Sequence, residues 1–219
     1  MNLYHYQHPH KALGWRLLPV MLVFQAGHVL AEVSDALSDV VPRVRIVKPI
    51  NDADQVTLGG NRPPLLDICV DKGGVDGNLL LKNMMLVLKS SPEQQTRLDA
   101  FSTAQQTAGS PDYHHWLTPE EFASHFGIAD QDMQIIKNYL TSKGFSINQI
   151  ASGGRGIMFS GKAIQVKNAF HTEIHHYVCQ GEKHIANESD PQIPAALSQV
   201  IGGIINLNDF HSHAMSGKL

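Results

Sequence analysis

The stretch AFHTEIHHY (169–177) sets His171, His175 and His176 around Glu173. Imidazoles and a carboxylate this close in sequence are the raw material of a zinc site or a hydrolytic centre. A zinc-peptidase helix, however, needs H-E-x-x-H, with the glutamate beside the first histidine and both histidines on adjacent turns. Here Glu173 stands midway between His171 and His175. Thr172, Ile174 and Val178 are β-branched and Gln180-Gly181 offers a turn, so the segment reads as a strand. In a strand, residues i and i+4 lie about 13 Å apart, and neighbours such as His175 and His176 point to opposite faces. The three imidazoles therefore do not share one ion. A single histidine with a cross-strand partner, His184 for example, is the arrangement left open.

Two other chemistries fail on the same kind of argument. GIMFSGKA (156–163) has the G-x-x-x-x-G-K spacing of a phosphate loop, but Ala163 replaces the hydroxyl that would hold Mg²⁺. Ile157, Met158 and Phe159 also fill positions where backbone amides should lie bare, so a strand and turn account for it better. No serine sits in a G-x-S-x-G elbow, and Cys179 lies in a strand with nothing nearby in sequence to activate it. The carboxylates fall at helix starts and turns, where capping explains them. These residues do not make a complete enzyme, and no cofactor is implied.

The elements that position these residues are clearest after residue 79. LLLKNMMLVLKS (79–90) reads as an apolar strand ending at Ser91, which with Pro92 and Gln94 forms a helix start; that helix should run to about Ala108. TPEE (118–121) repeats the grammar, with Phe122 and Phe126 on one face and Gly127 at the end. A third helix over 130–143 aligns Met133, Ile136 and Leu140 and stops at Gly144. FSINQI (145–150), SGGRG and IMFSG (157–161) read as a hairpin, 162–170 as a helix, and 173–179 with 182–187 as a second hairpin. This order predicts an α+β domain over 79–210, with a mainly antiparallel sheet and helices packed on one face. Residues 32–78, rich in turn formers, read as an irregular N-terminal arm, and 211–219 as a tail.

Composition bounds the rest. The chain has 219 residues and a net charge of −3, with no basic excess of the kind that nucleic-acid binding requires. Lys11 and Arg16 precede the apolar run LLPVMLVF (17–24), and VLA (29–31) places small residues before Glu32. That is the pattern of a secretory signal peptide cleaved between Ala31 and Glu32; eight apolar residues fall far short of the ~20 that span a bilayer. The expectation is a secreted or periplasmic product with no membrane attachment once the signal is removed. Cleavage would lower Lys+Arg from 17 to 15 against 20 acids, a net charge of −5, and leave nine of 13 histidines. An oxidising compartment would permit a bridge between Cys69 and Cys179, though two cysteines 110 residues apart do not by themselves require one.

The densest segment, SPDYHHWLTPEEFASHFG (110–127), closely resembles the hallmark of the pro-kumamolisin activation domain, the propeptide of the sedolisin family of serine-carboxyl peptidases. The resemblance extends from MMLVLKSSPEQQTRLD (84–99) through LTSKGFSINQI and its continuation to Phe210, covering about 43–210. GGR (153–155) and Gln180-Gly181 depart slightly from the family's turns without changing their chemistry. The resemblance implies a fold similar to subtilisin-type prodomains, ferredoxin-like or half-sandwich. It also implies a role in folding and covering a sedolisin-type peptidase domain, with release on acidification. Family catalysis belongs to a downstream domain with a G-T-S serine and a calcium site; no G-T-S occurs here, so no catalytic or calcium residue is carried over. The expected activity is that of a chaperone-like or inhibitory module, in trans or as a truncated zymogen. The alternative reading is a His-rich periplasmic metal-binding protein. Protonating nine histidines would move the charge from −5 to about +4 as pH falls through ~6.5, which makes His171, Glu173, His175, His176 and His184 a candidate docking or pH-responsive surface.

Overall fold

Alternation along one strand organises the domain. In LLKNMMLVL, Leu81, Met84, Leu86 and Leu88 are buried, with a bulge at Lys82-Asn83 where Asn83 adopts φ 56°. A computed structural model describes Leu37 and residues 39–210, all within the compact unit Val33–Leu219. The expected cleavage point Ala31–Glu32 and the tail 211–219 lie outside the described residues.

In chain order the first elements are β1 (Gln55–Thr57), a 3-10 turn (Pro64–Ile68), β2 (Val70–Gly74) and β3 (Leu80–Leu88). Helices α1 (Pro92–Gln106), α2 (Pro119–Phe126) and α3 (Asp130–Ser142) follow, then β4 (Ser146–Ile150), β5 (Gly156–Lys162) and α4 (Ala163–Phe170). The chain closes with β6 (Ile174–Cys179), β7 (Glu182–Asn187), β8 (Gln192–Pro194) and β9 (Ile201–Ile205). Every pairing is antiparallel, as expected for the α+β class. The strands form three sheets rather than one: β4-β5-β3-β9, β2-β6-β7 and β1-β8.

The main core lies between the four-stranded sheet and helices α3 and α4. Ile136, Tyr139 and Leu140 of α3 and Val166, Ala169 and Phe170 of α4 meet Leu86, Ile157 and Phe159 of the sheet. Phe145, Phe159 and Phe170 form an aromatic trio with ring centroids 5.1, 5.4 and 6.1 Å apart. Each such pair adds about 0.5–1.5 kcal/mol beyond area burial. Gly144 takes φ 84°, the left-handed stop that the sequence places after α3.

Helices α1 and α2 make a smaller lobe around Leu37, Val40, Phe101 and Phe126. Both expected capping boxes form: Ser91 with Gln94, and Thr118 with Glu121. Gln94, 6% exposed, also donates from Nε2 to the carbonyls of His125 and Gly127, tying the start of α1 to the end of α2. Helix α1 ends at Gln106, short of the expected Ala108, because Thr107 is already extended.

The segment read as a thinly structured arm is folded onto this body. It supplies β1 and β2 and buries Ile46, Leu58 and Leu66. Its attachments come from remote side chains, which local turn signals do not reveal. Asp132, 0% exposed, accepts from the backbone N–H of Arg45 (2.8 Å) and Ile46 (3.0 Å). The Arg45 guanidinium donates to the carbonyls of Gln199 and Lys89. Asp190 accepts from the N–H groups of Gly60, Asn61 and Arg62. Finally, Cys69 and Cys179 form a disulfide that joins the start of β2 to the end of β6.

Candidate functional site

The histidine-bearing hairpin forms as its pattern demands. Gln180 (φ 50°) and Gly181 (φ 89°) make a two-residue turn with both φ angles positive, the type that suits twisted strands. On β6, Ile174 points into the main core, while Tyr177 and Cys179 join Leu66 and Ala186 in a satellite cluster on the other side. The cross-strand pairs Tyr177↔His184 and His175↔Ala186 set His175 and His184 on the Tyr177 side.

His171, His175 and His176 are not brought together. His171 is the exposed left-handed cap of α4 (φ 50°, ψ 35°), and His176 is exposed on the opposite face of the hairpin from His175. His175 gathers carboxylates instead. Its Nδ1 lies 2.8 Å from Asp71 Oδ2, and its Nε2 lies 3.5 Å from Glu188 and 4.0 Å from Glu173, with the side chain 15% exposed. Glu173 is itself paired with Lys167 at 2.6 Å. His184, 16% exposed, approaches Asp209 through Nδ1 (3.1 Å) and Glu182 through Nε2 (3.7 Å), and its ring packs on Phe210 at 4.5 Å. Asp71, Glu188 and Asp209 were invisible in the sequence reading, because each comes from another element.

Electrostatics fit a structural seam between β2 and β6. The Asp71 carboxyl lies below its ordinary value, held there first by the Gly73 N–H and then by His175. Glu173 lies below its ordinary value because Lys167 hydrogen-bonds its charged form. His175 and His184 both face carboxylates of the domain itself. Among the described residues, no group of three or more His, Cys, Asp and Glu side chains is arranged to hold a metal ion. The phosphate-loop lookalike is β5 running directly into α4, with Lys162 Nζ on Asn78 Oδ1 at 3.1 Å.

A second surface lies on the side of the four-stranded sheet away from the helices. Met85 is opposite Met158 on β5 and Ile205 on β9, and Val87 is opposite Gly156 and Gly203. Met85, Val87 and Met158 are half-buried and Ile205 is 43% exposed. Among the described residues these four belong to none of the buried apolar clusters. A Cβ at Gly156 would meet Met85 Sδ at 3.1 Å, so a larger residue there would push the methionine aside by a few tenths of an ångström. Sequence alternation contained this face, but only the register shows that it is continuous across three strands.

The family model of the pro-kumamolisin activation domain matches residues 69–210, and the chain belongs to that family. It is 26% identical over 112 residues to xanthomonalisin from Xanthomonas sp. (strain T-22), covering 51% of this chain and 14% of that protein. It is 24% identical over 131 residues to sedolisin from Pseudomonas sp. (strain 101), covering 59% of this chain and 22% of that protein. The match therefore spans less than a quarter of the length of either relative.

Proposed function

We propose that this chain is an exported activation module that docks on a sedolisin-type peptidase domain, assists its folding and blocks it until acidification, with no catalytic role of its own. Family membership supports a propeptide role, and the apolar face of Met85, Val87, Met158 and Ile205 is the observation that carries the docking. A sheet face with two methionines is adaptable and low in desolvation cost, which suits contact with another domain's surface. The peptidase domain would be met in trans or as part of a longer protein. Acid release would draw on overall charge and on exposed His171 and His176, since His175 and His184 turn inward to carboxylates.

The test is to add the purified chain to a sedolisin-type peptidase and follow residual activity and refolding yield near neutral pH and at about pH 4.5. Inhibition or improved refolding that weakens in acid is the expected result. No effect on either quantity overturns the proposal.

A further inference from the structure

The loop between α1 and α2 carries an exposed ladder of rings. Tyr113 stacks on His114 at 3.9 Å with 22° between planes, and His114 on Trp116 at 6.3 Å with 16°. Trp116 is 67% exposed and Tyr113 44%, the largest aromatic surfaces that the described domain leaves in solvent. The ladder is not a loose loop tip. His114 holds φ 58°, a left-handed backbone that a non-glycine residue seldom adopts without a constraint. The constraint comes from α1: the His114 N–H donates to the Gln105 carbonyl at 3.0 Å, and Gln105 Nε2 donates to the His115 carbonyl. Tyr113 N–H closes a turn onto the Ser110 carbonyl.

Negative charge backs the rings. Asp112 is 3% exposed, and its Oδ1 accepts no hydrogen bond; the closest basic group is His115 Nδ1 at 3.7 Å. The α1–α2 lobe (92–126) contains five acids (Glu93, Asp99, Asp112, Glu120 and Glu121) against Arg97, with Arg155 of the β4–β5 turn lying over the Phe122 ring at 6.0 Å. The rest of 39–210 carries 13 Lys and Arg against 13 acids. Glu121 lies below its ordinary value, chiefly through the Thr118 N–H, and so stays ionised beside the loop.

We propose that the Tyr113–His114–Trp116 ladder is a docking site for an arginine-bearing extended segment of a protein partner. Guanidinium groups stack on aromatic faces, and the acidic lobe supplies the complementary field. Preorganised aromatic side chains are also what interface hot spots use. The site is separate from the sheet face assigned to peptidase docking, and it stands whether or not that reading holds.

The test uses the full chain and a fluorescein-labelled Gly–Arg repeat peptide, followed by anisotropy at physiological salt, with Gly–Lys and Gly–Glu repeats for comparison. The Gly–Arg peptide is expected to bind, the Gly–Lys peptide several-fold more weakly, and the Gly–Glu peptide not at all. Trp116→Ala should weaken the Gly–Arg complex about tenfold and Trp116→Phe should recover part of the loss. Trp116 is so exposed that both variants keep the fold, which circular dichroism verifies. Met158→Asp on the sheet face should leave peptide binding unchanged. Absence of binding, equal binding of the Arg and Lys peptides, or equal binding by Trp116→Ala overturns the proposal.

Discussion

Asp132→Ala tests how the N-terminal segment is held. The carboxylate is fully buried and accepts two backbone N–H groups at 2.8 and 3.0 Å, from Arg45 and Ile46. Hydrogen bonds to a charged acceptor contribute about 1.5–3 kcal/mol each. Removing the ion also relieves its own desolvation, which offsets part of that loss. The net expectation is a loss of about 3 kcal/mol. For a domain of this size that lowers the unfolding temperature by roughly 6–12 °C. Because Arg45 and Ile46 lose their acceptor directly, their amides should exchange with solvent about a hundredfold faster, an effect larger than at the Phe145–Phe159–Phe170 trio. Asp132→Asn keeps one acceptor and should lose about half as much. Thermal melts and residue-resolved hydrogen exchange make the measurement. A loss under about 1 kcal/mol with both amides still protected would refute the clasp as the element that holds the segment.

Cys69→Ser should cost about 4 kcal/mol in urea unfolding, since the bridge closes a loop with a sequence separation of 110; an unchanged midpoint would show that β2 and the strand it joins are held by other contacts. Asp71 and Glu173 both have carboxyls below their ordinary values, so their stabilisation is present above the ordinary carboxylate range and is lost as pH falls through the lowered values. Amide exchange at Val70 and Asp71 should therefore rise only below about pH 4, and a rise between pH 7 and 5 would contradict the pairing. Met158→Asp should weaken inhibition of a sedolisin-type peptidase by about tenfold while shifting the melt by only a few degrees; retained inhibition with an intact fold would move the docking surface elsewhere.

Local grammar was legible where each residue's role is decided by its neighbours. The Ser91/Gln94 and Thr118/Glu121 boxes, the stop at Gly144 and the Gln180-Gly181 turn all form where their residue types place them. Strand geometry puts His175 and His176 on opposite faces of β6, while His171 stands apart for a different reason, as the left-handed cap of α4. What could not be read were contacts closed by residues far apart in the chain. Asp132 looks like an ordinary first-turn acid of α3, yet it binds the backbone 86 and 87 residues earlier. The same holds for Asp71 against His175, 104 residues on, and for the disulfide, which the spacing of two cysteines left open. Three sheets rather than one follow from register choices that alternation does not encode.

The Cys69–Cys179 bond has a consequence for the lifetime of the protein near a peptidase. The covalent ring it closes contains β2, β3, the four helices α1 to α4 and β4 to β6, including the exposed aromatic loop. A single backbone cut anywhere inside that ring opens new termini without separating the pieces. A nicked molecule would run as one band until reduced.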